Sequence, residues 1–407
     1  MLDPNFIREN SDLVKEGMKN RGLNHGVVSA FLEADEKWRK LVVKVESLRS
    51  EKKKLGKEDQ DKSKQLKART KLIESELKTA DEARVSFLDR IANTPERRVP
   101  LGGSEDKNVE LRTWGKPRKF DFNPRDHVGV AGGLINKEKA AEISGSRFSY
   151  ILGDLVLLEF AIVKYVFEKL LPHGFIPVIP PVLVKSATMR GMGKTKFIED
   201  KDAYYIAEDD LYLVGTAEDS IGPLHSNEVI QTGDLPKRYV GFSTAFRREA
   251  GAYGKDMKGL FRLHQFDKVE MFSFTRPEDS VKENDFLLGL QEEIMQGLEI
   301  PYRVVHICTG DMGFTATNQY DVEAWLPSEG KYRESHSCSN TTDFQSRGLN
   351  IKLPDGRFVH MLNATGAAMR ILVYILENNQ TEAGKIKVPR VLQSYVGKKE
   401  IRPERRS

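Results

Sequence analysis

Between Ser29 and Ala92 the chain has no proline and a single glycine, Gly56, set in dense charge with a regular apolar beat. Trp38, Val45 and Lys52 interleave with Leu41, Leu48 and Leu55 at alternating spacings of three and four. Leu66, Thr70, Ile73, Leu77, Ala80, Arg84, Phe87 and Ile91 repeat the beat. Such spacing keeps one stripe of a helix turned towards a partner helix. The polar segment 57–63 separates the halves, so the expected form is an antiparallel two-helix coiled-coil arm over residues 29–92. Each helix of roughly 28 residues would run about 40 Å. Charge is uneven along it. From Lys52 to Lys71 there are nine Lys/Arg against three acids, a local +6 within a chain whose formal charge is +4. This basic cluster falls at the turn end of the hairpin. The Pro- and Gly-bearing segment 91–103 reads as the exit, giving an N-terminal domain over 1–98 and a second over 99–407.

Composition narrows the class. At 407 residues and 39% apolar content the chain can build at least one large core. Its most apolar stretch, 153–171, is interrupted by Asp154, Glu159, Lys164, Glu168 and Lys169, which suits an amphipathic helix and not a bilayer span. The opening MLDPNFIREN lacks a basic region followed by an apolar run, so no secretory signal is expected. Two cysteines, Cys308 and Cys338, without Cys-x-x-Cys or a Cys/His cluster, point to a reducing compartment and no structural zinc. A cytoplasmic protein is expected.

Beyond residue 99, short β-like runs (175–184, 211–214, 239–246, 263–274, 303–307, 320–325) mix with helical segments near 150–171, 279–297 and 366–378. Regular βα alternation is missing and 251–259 reads as a hairpin connection. The expected fold class is therefore α+β, an antiparallel sheet flanked by helices.

The same region carries the chemistry. Gly193-Lys194-Thr195 resembles the end of a P-loop, but the pattern needs glycine where Thr188 stands. Nucleotide binding, if present, must use another device. In Phe242 to Phe272, period-two alternation puts Arg247 and Glu249 on one face, with Arg248 turned away. Arg262, His264, Phe266, Lys268 and Glu270 share the facing half, so a cation, an aromatic plate and carboxylates converge beside a Gly-rich loop. Alternating charge of this kind also suits a plain solvent face. Thr216 with Asp219 three residues on also fits a capping box. In Gly330 to Arg347, nothing pairs Cys338 with a positioned base, which argues against a thiol nucleophile.

The order Phe-Arg-x-Glu, loop, Arg-x-x-x-Phe, Lys-x-Glu resembles motif 2 of class II aminoacyl-tRNA synthetases, and in detail that of the seryl-tRNA synthetase family. Thr216-Ala217-Glu218, the segment 332–340 around Arg-Glu-x-x-Ser-Cys-Ser-Asn, and Asn363-Ala364-Thr365 are similar to that family's further motifs, and the similarity runs over essentially the whole chain. It implies a class II catalytic domain with an N-terminal coiled-coil arm, and serine–tRNA ligation from L-serine, ATP and tRNA(Ser) with Mg²⁺. Arg247 would meet the ATP α-phosphate and the serine carboxylate, Glu249 the adenine amino group, and Phe266 the adenine face. Arg248, Ser335 and His336 complete the implied ATP site. Glu334 and Ser337 are the implied Mg²⁺ and phosphate ligands, and Arg370 the γ-phosphate ligand. Thr216, Ala217, Glu218, Asn363 and Thr365 would surround serine, with Glu218 facing its ammonium and Glu270 holding its amine or hydroxyl. Arg247, Glu270 and Arg370 form the implied catalytic set. Lys52, Lys53, Lys54, Lys57, Lys62 and Lys64 would contact tRNA, in a homodimer whose arms grip tRNA across the partner subunit.

Two features of the resemblance demand structural answers. Glu334 and Ser337 are three apart, on opposite faces of a regular strand, so a bulge or turn at Ser335 and His336 is required. Arg370 follows Asn363 by seven residues where the family usually has eight, about 100° if the segment is helical. That spacing favours the main alternative, a catalytically silent paralogue that binds RNA or a protein. The intact Glu218, Arg247, Glu249, Glu270 and Glu334 favour the enzyme, and a ligase acting on a carrier protein would have no use for the basic arm. If the basic end contacts RNA phosphates, neutralising Lys52, Lys53, Lys54 and Lys57 together weakens tRNA affinity and flattens its salt dependence. An unchanged aminoacylation KM for tRNA would remove the assignment.

Overall fold

The computed structural model describes residues 1–56, 59–250 and 259–403. They form two units, Met1–Thr94 and Pro95–Ser407.

In the first unit, short helices Pro4–Glu9 and Ser11–Asn20 precede an outgoing helix, Gly26–Lys53, and a return helix, Gln60–Leu88. Leu41, Val45 and Leu48 pack on Leu66, Ile73 and Ala80, with Trp38, Leu55 and Leu77 at the margins. The return helix ends earlier than the apolar beat suggests. Phe87 is half-buried while Leu88 is inside, and buried Ile91 lies past the helix end. A 3.6-residue helix drifts against a strict heptad, so the inward position slips by one near the end. Arg84, on the seam by spacing, lies 4.3 Å over the Trp38 ring and 3.7 Å from buried Asp35, which also takes Arg8 and Arg39. Lys52, Lys53, Lys54, Lys62 and Lys64 are exposed. Lys57 lies outside the described residues.

In the second unit, eight strands make one sheet: β1 Val109–Trp114, β2 Phe175–Val178, β3 Lys237–Phe246, β4 Gln265–Thr275, β5 Tyr302–His306, β6 Asn318–Leu326, β7 Lys331–Thr342 and β8 His360–Ala368. Their order is β1-β5-β6-β7-β8-β4-β3-β2, antiparallel except for β2 beside β3. Helices Asp154–Leu170, Ser280–Gly297 and Arg370–Asn378 cover one face, where Leu158, Ile162, Ile294 and Leu372 meet Val269, Val304, Val322 and Leu362. Alternation then sends the polar residues of the same strands to the opposite face. Among the described residues no helix is long and apolar enough to cross a membrane.

Three sequence expectations need correction. The run 175–184 is two strands, Phe175–Val178 and Leu183–Lys185, because Pro180 and Pro181 break the ladder. The second joins a small sheet with Leu211–Leu213. Strands β1 and β8 were not anticipated, and β7 only around Glu334 to Ser337. Strand β7 is polar and β8 is rich in Ala and Gly, yet they lie between β6 and β4, where ladder bonds on both sides outweigh weak intrinsic preference. The helix expected from 366 begins at Arg370, and Gly366–Ala368 still belong to β8.

Both inner strands are irregular at informative places. In β7, Val322 pairs with His336 and Glu323 with Glu334, which leaves Ser335 as the extra residue. In β8, Glu270 pairs with Thr365 and Val269 with Ala367, which leaves Gly366. Another close fit involves two helix ends. A Cβ on Gly348, in the helix Phe344–Leu349, would stand 2.1 Å from the Gly191 carbonyl oxygen that ends the helix Ser186–Gly191. These segments carry Gln345 and Lys194, which meet at one carboxylate described below. Gly348→Ala should therefore cost about 1–3 kcal/mol of stability, read by denaturant unfolding, through overpacking against backbone that cannot yield. Unchanged stability would show that the contact is loose.

Candidate active site

The polar face of the sheet lines a cavity of about 670 Å³. Arg247, just past β3, donates from Nε to the Gly215 carbonyl at 3.1 Å, and its guanidinium carbon stands 5.3 Å from the centre of the Phe266 ring. Glu249 has a left-handed backbone, φ 52°, and its carboxylate accepts from Arg262 at 2.7 Å. Glu334, half-exposed on β7, receives Arg370 at 3.2 Å on its carboxylate and 3.1 Å on its carbonyl. Arg370, then Arg247, Lys268 and Arg262, hold the Glu334 carboxyl below its ordinary value against a burial effect in the other direction. Guanidinium groups thus surround a space wide enough for an extended anion.

A second cluster joins this one. Glu218 and Asp219 open a single-turn helix, and both are buried. Glu218 accepts from Lys194 at 3.0 Å on one carboxylate oxygen and from Gln345 at 2.6 Å on the other. Asp219 accepts from the Gly215 amide at 2.9 Å and lies 3.2 Å from the Lys194 ammonium. The capping-box arrangement for Thr216 is not formed. Its hydroxyl donates to Glu270, whose carboxylate also pairs with Lys268. Burial acts to raise Glu218, but Lys194 and Gln345 outweigh it and keep the carboxyl below its usual value. Asn363 and Thr365 on β8 line the same space.

Of the residues singled out from sequence, the cavity is lined by Thr216, Glu218, Arg247, Glu249, Arg262, Phe266, Lys268, Glu334, Ser335, Ser337, Asn363, Thr365 and Arg370. The bulge at Ser335 restores a shared face for Glu334 and Ser337. The run from Asn363 to Arg370 is mainly strand with an extra residue at Gly366, so the helical rotation argument does not apply to it. Four residues lie elsewhere. Ala217 is core, packed among Ile221, Tyr239 and Phe272. Arg248 donates to the Ala203 carbonyl at 3.2 Å and lies over Tyr204. Glu270 sits behind Thr216 and Lys268, at 1% exposure. His336, on the opposite face to Ser335 and Ser337, is fully buried, and desolvation pushes its pKa down to about 4. His264 also leaves the expected surface, since its Nδ1 meets the Arg247 carbonyl at 2.9 Å. Cys338 faces the core beside Asn284, and burial pushes its thiol far up, which removes any nucleophilic role.

Lys194, Gln319, Arg333 and Gln345 were not among the site candidates drawn from sequence. Lys194 sits in the Gly-Lys-Thr segment set aside as a P-loop lookalike. Gln345 has no local signal, because its partner Glu218 is 127 residues away. Among the described residues no group of three or more His, Cys, Asp or Glu side chains could hold a metal ion.

Comparison with known proteins places this geometry. Residues 1–95 match the family model described as the seryl-tRNA synthetase N-terminal domain, and residues 203–379 match the tRNA synthetase class II core domain (G, H, P, S and T). The chain is 42% identical to a serine–tRNA ligase of Thermococcus onnurineus, over 99% of this chain and 97% of the relative. It is 41% identical to one of Thermobifida fusca, over 99% of each. The seryl-tRNA synthetase of Pyrococcus horikoshii, solved complexed with ATP, superposes with a TM-score of 0.92 at 39% identity, covering 99% of this chain and 100% of that one. The cytoplasmic serine–tRNA ligase of Naegleria fowleri, in complex with AMP, gives 0.87 at 34% identity over 98% of each. The chain belongs to the seryl-tRNA synthetase family of class II aminoacyl-tRNA synthetases.

Proposed function

We propose that this chain activates L-serine with ATP and transfers the seryl group to the 3′ end of tRNA(Ser). The observation that carries the reading is the convergence of Arg247, Arg370 and Glu334 with the Thr216–Glu218 cluster in one cavity. In the first step the serine carboxylate attacks the α-phosphorus, an acyl–phosphate bond forms, and the bond to the β-phosphate oxygen breaks to release pyrophosphate. Both reactants are anions. Arg247 opposes their repulsion at the α-phosphate, and Arg370 takes the far phosphate, so charge that builds in the transition state meets donors already in place. Phe266 offers a face for adenine and Glu249 an acceptor for its amino group. In the second step a ribose hydroxyl of the tRNA attacks the seryl carbonyl and AMP leaves.

Glu218 would face the substrate ammonium, with Thr216, Asn363 and Thr365 supplying the polar walls that favour a hydroxyl side chain over alanine. Mg²⁺ fits the donors present. Glu334 and Ser337 are hard oxygen ligands on one face of β7, and Mg²⁺ usually takes its remaining ligands from water and substrate phosphates. When bound, it neutralises phosphate charge. The basic arm residues would grip tRNA through phosphates and shape. Leu157, Phe160, Ile176 and Ile179, at 48, 60, 52 and 83% exposure, are large apolar side chains left open in the single chain, in keeping with a homodimer. The two free thiols are in keeping with a reducing, cytoplasmic setting.

ATP–pyrophosphate exchange without tRNA tests the reading. Exchange is expected with serine and not with alanine, threonine or cysteine, and Arg247→Ala should lower it by about 10²-fold or more. A folded chain with no serine-dependent exchange would instead favour the silent paralogue, and full activity in Arg247→Ala would refute that residue's role.

A further inference from the structure

The acidic residue expected to receive the substrate amine already holds an ammonium. Lys194 is fixed by its surroundings. Gly193 before it is at φ +73°, so close under Phe344 that a Cβ would stand 2.6 Å from the ring. The Lys194 amide donates to the Met189 carbonyl at 3.0 Å. Its ammonium bridges Glu218 at 3.0 Å and Asp219 at 3.2 Å.

Glu218 and Asp219 are consecutive, both buried, and unpaired would place two negative charges in one desolvated pocket. Such a pair does not stay doubly ionised, and one member takes a proton. With Lys194 between them the trio carries a single net negative charge, which matches one cationic amine. A carboxylate has about four lone-pair sites. Glu218 can therefore accept an incoming ammonium while keeping Lys194 and Gln345, and Asp219 offsets the repulsion between the two cations. Burial and the Glu218 charge leave the Asp219 carboxyl above its usual value, and Lys194, which opposes both, limits that rise.

We propose that Lys194 is a positioning residue of the amino-acid subsite: anchored by Asp219, it presents Glu218 as an oriented, ionised carboxylate to the amine of serine. The inference rests on the functional reading above and deepens it. It differs from a merely structural role because it acts on one substrate and on one protonation state. The charged groups facing Glu218 are Lys194, Asp219 and Lys268, with Gln345 as the neutral donor and Glu270 behind Lys268.

The test is serine-dependent exchange by the full chain, wild type beside Lys194→Met and Lys194→Arg, with serine KM, ATP KM and kcat measured from pH 6 to 8.5. Lys194→Met should raise serine KM by about tenfold or more while leaving kcat and ATP KM within about threefold, the signature of lost binding to one substrate. Without the ammonium, burial lets Glu218 take up a proton as pH falls, so the ratio of variant to wild-type serine KM should widen towards pH 6. Lys194→Arg, which keeps the charge, should recover most of the loss. An unchanged serine KM in Lys194→Met, or an equal loss in serine KM, ATP KM and kcat in both variants, would overturn the proposal. Absence of exchange in the wild-type chain contradicts the functional reading itself, and the proposal with it.

Discussion

A β-ladder alternates its side chains with period two, and the proposed chemistry depends on two places where that alternation is broken. Without the extra residue at Ser335, Glu334 and Ser337 would face opposite sides of the sheet, one of them towards Val322 and Leu362. Without the extra residue at Gly366, Thr365 and Ala368 could not both line the cavity, and the helix that begins at Arg370 would start from the wrong face. Each irregularity shifts phase by one residue, so the strand before it and the strand after it serve one site. Bulges next to active sites have this use generally, since they re-aim side chains without ending the pairing.

Charge balance is the second constraint. The cavity gathers Arg247, Arg262, Arg370, Lys194 and Lys268 with Glu218, Glu249 and Glu334, and most of these already have an internal partner. Paired charges tolerate burial far better than lone ones. Glu249 with Arg262 and Glu334 with Arg370 order the side proposed for the nucleotide, while Lys194 and Lys268 do so for the acids of the proposed amino-acid side. The ion pairs also set what can enter, because an added anion must find a guanidinium with spare donors. Arg247, with a carbonyl and an aromatic face as its contacts, has that capacity.

Much of this was legible from the order of residues, for local reasons. The arm follows from the spacing of Leu41, Val45, Leu48, Leu66 and Ile73, and the face shared by Phe266, Lys268 and Glu270 follows from period two. What failed was non-local. The polar sequence of β7 and the Ala- and Gly-rich sequence of β8 carry weak strand signals at best, and both strands exist because β6 and β4 flank them. Arg248 and His336 belong to matching motifs, but Tyr204 and the core claim their side chains. The Lys194–Glu218–Gln345 junction joins three separate segments, and only the fold brings them together.

The central claim is that one cavity holds an amino acid and a nucleotide in line for adenylate formation. The most direct measurement is a crystal structure of this chain with a non-hydrolysable seryl-adenylate analogue. The account predicts the seryl amine on Glu218, the phosphate surrogate on Arg247, and adenine against Phe266 with its amino group on Glu249. An analogue bound elsewhere, or bound here with its amine away from Glu218 and its adenine away from Phe266, would contradict it.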